Sequence, residues 1–368
     1  MNKTSIGWTD YSSNPLRYRE AGTNREVWAC VKTSPGCANC YAEAMGLRLS
    51  RGVPFTRAGL ATVRPELNDK ELGRVLRAPG LAGKKVFLND MTDCFGDWVP
   101  DVLLDRMFAA LACRPDVIFQ VLTKRADRMA AYFTAPDRKA LIFKQVAGLS
   151  DMSAEQAGRE SARIIFADVE PAFRDDRPFP NVWLGVSVEN QAMAKERIRP
   201  LLTTPAAVRF LSCEPLLSEL TLTPWFDPMG VTCGAEAEVQ CQCRGCVHAG
   251  TFPRGDDGLF AEIDWVIVGG ESGDDARPFQ VEWARSLIKQ CRAHGVACFV
   301  KQIGSSPRER ELSDWPDAWP NGTRRINLVG DGFGNHCVTG LRHRNGADPT
   351  DWPEDLRVQQ FPQVEATS

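Results

Sequence analysis

The feature that most constrains this chain is a recurring unit. Short runs rich in β-branched and aromatic residues are followed by a polar or glycine-bearing turn and then by a stretch with apolar residues at spacings of three and four. That rhythm is the signature of repeated βα units around a parallel sheet, because strands buried on both faces read as continuous apolar runs while the covering helices are amphipathic. Seven candidate strands follow: Val27 to Val31, Lys85 to Asn89, Val117 to Leu122, Val182 to Val188, Val208 to Cys213, Trp265 to Val268 and Ala297 to Lys301. Helices are expected over Asp101 to Ala112 and Glu282 to His294. The expected fold class is α/β, a full or partial (β/α) barrel, with an open doubly wound sheet as the alternative. Val-Gly-Gly-Glu-Ser at 268–272 is not the glycine-rich dinucleotide fingerprint, which argues against nucleotide binding by that route.

Residues 1–304 are expected to form the barrel, with a helical insertion at about 130–180 and a Cys-rich one at about 221–262. Residues 305–368, rich in Pro, Trp and Asp, are expected to be a loop-rich C-terminal extension packed on it. Forty-four Lys and Arg against 47 Asp and Glu leave a net charge of −3, so no global positive field draws the protein to nucleic acid or anionic membrane. Residues 1–10 lack an apolar stretch of signal-peptide length and no run approaches the roughly 20 residues that span a bilayer, so the protein is expected to be cytoplasmic with no membrane partner.

Thirteen cysteines, an odd number and locally clustered, point to thiolate–metal chemistry more than to a disulfide framework. Cys113, Cys291 and Cys298 read as small buried hydrophobes. The sharpest cluster is Cys30, Cys37 and Cys40, spaced x6 and x2 on a loop between a strand and a helix. Three thiolates can hold three irons of a 4Fe-4S cluster and leave the fourth open to S-adenosylmethionine, whose sulfonium bond breaks on one-electron reduction to give a 5′-deoxyadenosyl radical. The alternative is structural zinc, because Cys-x2-Cys is equally a zinc half-site. A second cluster, Cys233, Cys241, Cys243 and Cys246 with His248 nearby, lies in a segment with little apolar material for a core and reads as a Zn2+ site or a second iron–sulfur cluster.

The expected strand ends are unusually polar. They carry Asn89, Asp90, Thr92 and Asp93; Thr123, Lys124 and Arg125; Ser187, Glu189 and Asn190; Ser212, Cys213 and Glu214; Gly269, Gly270, Glu271 and Ser272; and Lys301 and Gln302. In a barrel these groups converge on one mouth, although any one of them can be a helix cap or a salt-bridged loop charge. Lys124 or Arg125 suits the carboxylate of a methionine moiety, Glu189 or Glu214 a ribose hydroxyl or a substrate ammonium, and Gly269-Gly270 close approach of backbone to a ligand. Arg324-Arg325 and Arg342-His343-Arg344, near Trp315, Trp319 and Trp352, offer a local stacking and phosphate surface. Two further readings stay open: a zinc-stabilised module that binds nucleic acid or a partner, and a metal-dependent hydrolase using Asp90, Asp93, Glu189 and Glu214. The hydrolase suffers from having only four histidines, none at an expected strand end.

Gly7-Trp8-Thr9-Asp10, Ser34 to Ala42, Asn89 to Asp93, Gln120 to Arg125, Asn181 to Glu189, Cys213 to Leu216, Gly269 to Gly273 and Asp351 to Leu356, in that order, carry a resemblance to the uncharacterised phage three-cysteine-motif proteins found in phages, prophages and bacteria. That family is similar to radical S-adenosylmethionine enzymes. The resemblance implies a partial βα barrel, a 4Fe-4S cluster on Cys30, Cys37 and Cys40, S-adenosylmethionine as cofactor, an electron donor, and isomerisation or other modification of a nucleoside or DNA substrate such as a modified thymine. Asn89, Asp90, Lys124, Arg125, Ser187, Glu189, Gly269, Gly270 and Glu271 are then expected to bind cofactor, and Glu189, Glu214, Lys124 and Asp93 to be catalytic. The sequence departs from the usual radical-enzyme pattern, which spaces its cysteines x3 and x2 with an aromatic before the third; here Asn39 precedes Cys40 and Tyr41 follows it.

Overall fold

A computed structural model describes residues 1–49, 51–157, 169–173, 177–226, 262–310, 315, 326–331 and 334–363. The fold is mixed α/β, and the chain divides into two compact units, Met1–Val186 with Thr204–Ala207 and Ser187–Thr203 with Val208–Ala366.

In the first unit, β1 (Asn2–Lys3) pairs antiparallel with β2 (Tyr11–Ser13). The chain then builds a three-stranded antiparallel sheet from β3 (Leu16–Glu20), β4 (Glu26–Val27) and β5 (Val63–Leu67). Leu16 and Tyr18 are buried while Arg17 and Arg19 point the other way, the period-two alternation of a half-buried strand. From β2 the main sheet continues in parallel through β6 (Lys85–Leu88), β7 (Ile118–Thr123) and β8 (Val182–Ser187). Helix Asp101–Ala112 follows β6 and buries Leu104, Met107, Phe108 and Leu111, its i, i+3, i+4, i+7 stripe. Between β7 and β8 the described residues include helices Arg138–Lys144 and Val146–Ala157.

In the second unit, β9 (Val208–Cys213), β10 (Trp265–Gly269) and β12 (Ala297–Gln302) run parallel, with β10 in the middle. Helix Val281–Ala293 packs on them through Ala284, Leu287 and Cys291. A second sheet, in the order β11 (Phe279–Gln280), β13 (Pro307–Glu309), β15 (His336–Thr339) and β14 (Asn327–Gly330), takes up part of the tail. The buried Glu309 carboxylate pairs with Arg285, and the indole of Trp352, fully buried, donates to Gly346 O at 3.0 Å.

Six of the seven expected strands are present. The exception is Val27 to Val31. Its strand stops at Val27 and is antiparallel, because from Trp28 the backbone turns to pair with the Arg51–Val53 segment instead. The first parallel strand is Tyr11–Ser13, so the Cys30–Cys40 segment lies in the long connection that leaves it. The tail is likewise less loop-like than its composition suggests, since it contributes three strands. Among the described residues no helix is long and apolar enough to cross a membrane.

Candidate functional site

The three-cysteine loop begins where Trp28 N donates to Arg51 O at 2.8 Å and Val53 N to Trp28 O at 3.2 Å. Cys37 ends a single 3-10 turn, Pro35–Cys37, and Cys40 is the N-cap of helix Tyr41–Arg48. All three thiols are free and half-buried. Cys30 and Cys40, with Trp28, pack against one apolar cluster of Ala42, Phe55 and Met91, and Cys37 Sγ lies 3.8 Å from Ser34 Oγ. Burial pushes the Cys30 thiol up to about 11, helped by the Asp93 charge and opposed by Arg125. Burial also raises Cys40, against backbone hydrogen bonds and the charge of Lys124.

The hub beside this loop is Asp93. Its carboxylate accepts from Thr123 Oγ1 at 2.7 Å, Arg125 Nη1 at 2.9 Å, Phe95 N at 3.0 Å and Lys124 N at 3.0 Å. Arg125 in turn donates to Val31 O at 2.8 Å and lies over the Trp98 ring at 4.6 Å. The guanidinium therefore ties the end of β7 to the residue after Cys30. Asp90 accepts from Asn14 Nδ2 at 2.5 Å, and its backbone carbonyl accepts from the Tyr41 hydroxyl at 2.6 Å, which anchors the residue next to Cys40. Desolvation raises the Asp90 carboxyl. Asn89, left-handed at φ 57°, accepts from Leu16 N at 3.2 Å and donates to Met107 Sδ at 3.2 Å. Lys32, which sequence reasoning did not single out, pairs with Glu43 at 2.7 Å and also feels the charges of Cys37 and Cys40.

The expected residues of the second unit form paired carboxylates. Glu189 is fully buried and accepts from Arg197 Nη1 at 3.0 Å, while the same nitrogen donates to Ser187 O at 2.9 Å. Glu214 lies 3.0 Å from Lys301 Nζ and accepts from Ser212 Oγ at 3.3 Å. Glu271 is held by three donors of Arg277, its N and Nε at 2.9 Å and its Nη2 at 2.6 Å. The partners Arg197 and Arg277 were not foreseen; each follows its carboxylate by eight or six residues, a spacing with no distinctive signal in the sequence.

Gly269 and Gly270 serve internal packing. A Cβ on Gly269 would sit 2.7 Å from Glu214 Oε1, and one on Gly270 would sit 2.6 Å from Ile303 O, in contact with backbone that cannot swing away. Gly270→Ala is therefore expected to destabilise the protein by about 1–3 kcal/mol, the usual cost of overpacking, as read by urea unfolding. An unchanged midpoint would show that the 303–304 backbone yields.

Cys233, Cys241, Cys243, Cys246 and His248 lie outside the described residues, as do Trp319, Arg324 and Arg325. Among the described residues no three His, Cys, Asp or Glu side chains gather closely enough to hold one metal ion.

The architecture and its loop define a mixed α/β protein that presents three unpaired thiols beside a carboxylate–guanidinium clamp. The chain belongs to the family described as Protein of unknown function (DUF5131), whose model matches residues 3–343. No curated protein and no solved structure matches it.

Proposed function

We propose that the protein is an iron–sulfur enzyme of the radical S-adenosylmethionine type, with Cys30, Cys37 and Cys40 as thiolate ligands of a 4Fe-4S cluster and with the partial βα barrel of such enzymes as its fold. The observation that carries this reading is three free thiols on one loop, two of them on a shared apolar cluster, with Lys32, Lys124 and Arg125 close enough to act on them electrostatically. Half-buried thiols resist ionisation, and nearby cations favour the thiolates that iron requires. A single zinc ion needs its ligands within one coordination sphere. A cuboidal cluster binds each thiolate to a different iron and so tolerates thiols that stand further apart.

Held by Cys30, Cys37 and Cys40, such a cluster would pass one electron from an external donor to the sulfonium of S-adenosylmethionine, whose C–S bond would break to give methionine and a 5′-deoxyadenosyl radical able to abstract hydrogen. The chain's own residues hold and orient. Arg125 fixes the segment after Cys30 through Val31 O, and Tyr41 fixes the start of the helix after Cys40 through Asp90. Lys124, whose charge acts on Cys40, is the residue we assign to the methionine carboxylate. In the second unit Glu214, beside Lys301, is less enclosed than Glu189. The substrate proposed from the family resemblance is a nucleoside or DNA base, a modified thymine among them, and Zn2+ is proposed for the second cysteine cluster.

The test is metal and labile-sulfide analysis of anaerobically purified protein, with an electron paramagnetic resonance spectrum of the reduced form. About four irons and four sulfides per chain, with a signal that changes on addition of S-adenosylmethionine, are expected. Zinc without iron after attempted reconstitution would overturn the reading.

A further inference from the structure

Where the cysteine loop begins, the first unit holds a cavity of about 260 Å³ lined by Arg17, Glu26, Val27, Trp28 and Arg51. We propose that this cavity binds a small oxyanion, a carboxylate or phosphate group, through Arg17, Arg51 and the indole N–H of Trp28. The site uses no metal and stands independently of the radical-enzyme reading.

Three hydrogen-bond donors of its walls are buried and have no acceptor among the described residues: Arg17 Nε, Arg17 Nη1 and Trp28 Nε1. Buried donors are normally paired, so three on adjoining residues mark a place where an acceptor is expected from outside the chain. The two residues are held together, with the Arg17 guanidinium 5.0 Å from the centre of the Trp28 ring. Glu26 does not fill the role. Its Oε1 lies 3.3 Å from Arg17 Nε, an ion pair that is not aligned as a hydrogen bond, and its Oε2 accepts from Asn68 Nδ2 at 2.7 Å.

The unpaired donors select the ligand. Glu26 in the wall and Glu71 and Asp90 nearby already act on the Arg17 charge, so what the site lacks is an acceptor for its free N–H groups. A guanidinium edge presents two parallel N–H groups, the geometry that suits carboxylate and phosphate oxygens. Burial pushes the Arg17 guanidinium down from its ordinary value, against the opposing charges of Glu26, Glu71 and Asp90. The volume amounts to roughly eight or nine waters, room for an oxyanion and the few atoms attached to it.

The test uses the full chain with 15N-labelled tryptophan and two-dimensional indole N–H spectra, with Trp28→Phe to identify the Trp28 signal. Sodium phosphate and sodium acetate are titrated separately at fixed ionic strength against sodium chloride. The Trp28 indole signal is expected to move saturably with at least one of the two oxyanions and not with chloride, and the tighter of them identifies the headgroup. Arg51 is exposed, so Arg51→Gln should fold normally and weaken that response about tenfold, equivalent to ~1.4 kcal/mol. A Trp28 signal that ignores both oxyanions, or that moves equally with chloride, overturns the proposal. Should Trp28→Phe not fold, the signal that responds in the parent protein must lose its affinity in Arg51→Gln. A response unchanged by that substitution also overturns it.

Discussion

Arg197→Met is expected to destabilise the protein by about 3–5 kcal/mol. The side chains of Arg197 and Glu189 are 1% and 0% exposed and 3.0 Å apart, so removing the guanidinium takes the hydrogen-bonded counter-charge from an enclosed carboxylate and leaves the charge of Arg277 acting on it. Arg197 also donates to Ser187 O, and Glu189 O accepts from Leu217 N at 2.9 Å, so the loss reaches both the residue that ends β8 and the segment after β9. The double variant Glu189→Gln/Arg197→Met separates charge from packing. With the buried charge removed as well, it should recover a substantial part of the loss, because replacing both members of a buried pair costs far less than removing one. Urea unfolding of the three proteins reads this directly. A single-variant loss below about 1 kcal/mol would mean that water or another partner takes over the carboxylate.

What was legible in the sequence follows from how local each signal is. Val208 to Cys213 and Asp101 to Ala112 were read to the residue, because a buried strand and a helix with an apolar stripe declare themselves within their own span. Tyr11–Ser13 declares nothing: it is three residues long, and its identity as a strand comes from pairing with Val86, Phe87 and Leu88. Leu16-Arg17-Tyr18-Arg19 carries the alternation of a half-buried strand, which differs from the continuous apolar runs of the βα units. The polar strand ends stand out in the sequence, but their partners do not, since the geometry that joins Asp93 to Arg125 or Glu214 to Lys301 exists only once the strands are aligned. The same alignment recasts Asn89, whose amide serves Leu16 and Met107, and Arg125, which is a clamp on the cysteine loop.

Cys37→Ala should remove nearly all cluster iron and all turnover while leaving the metal-free protein as stable as its parent, within about 0.5 kcal/mol. The asymmetry rests on its position. Cys37 is half-buried at the end of a single 3-10 turn and its sulfur lies 3.8 Å from Ser34 Oγ, too long a contact to hold the loop. The loop is fixed at other points, by Trp28 on the Arg51–Val53 segment, Arg125 on Val31 O and Tyr41 on Asp90, and none of these involves the Cys37 thiol. A cubane held by three thiolates loses a third of its protein ligands when one is deleted, so iron content is the sensitive readout and folding the insensitive one. Cys113→Ala is the control: Cys113 is also half-buried but caps helix Asp101–Ala112, and iron should be unchanged. A structural zinc site would behave in the opposite way, with no iron to lose and several kcal/mol of stability gone from the protein as purified. If Cys37→Ala retains its full iron, the assignment of this loop fails whatever the second cysteine cluster binds.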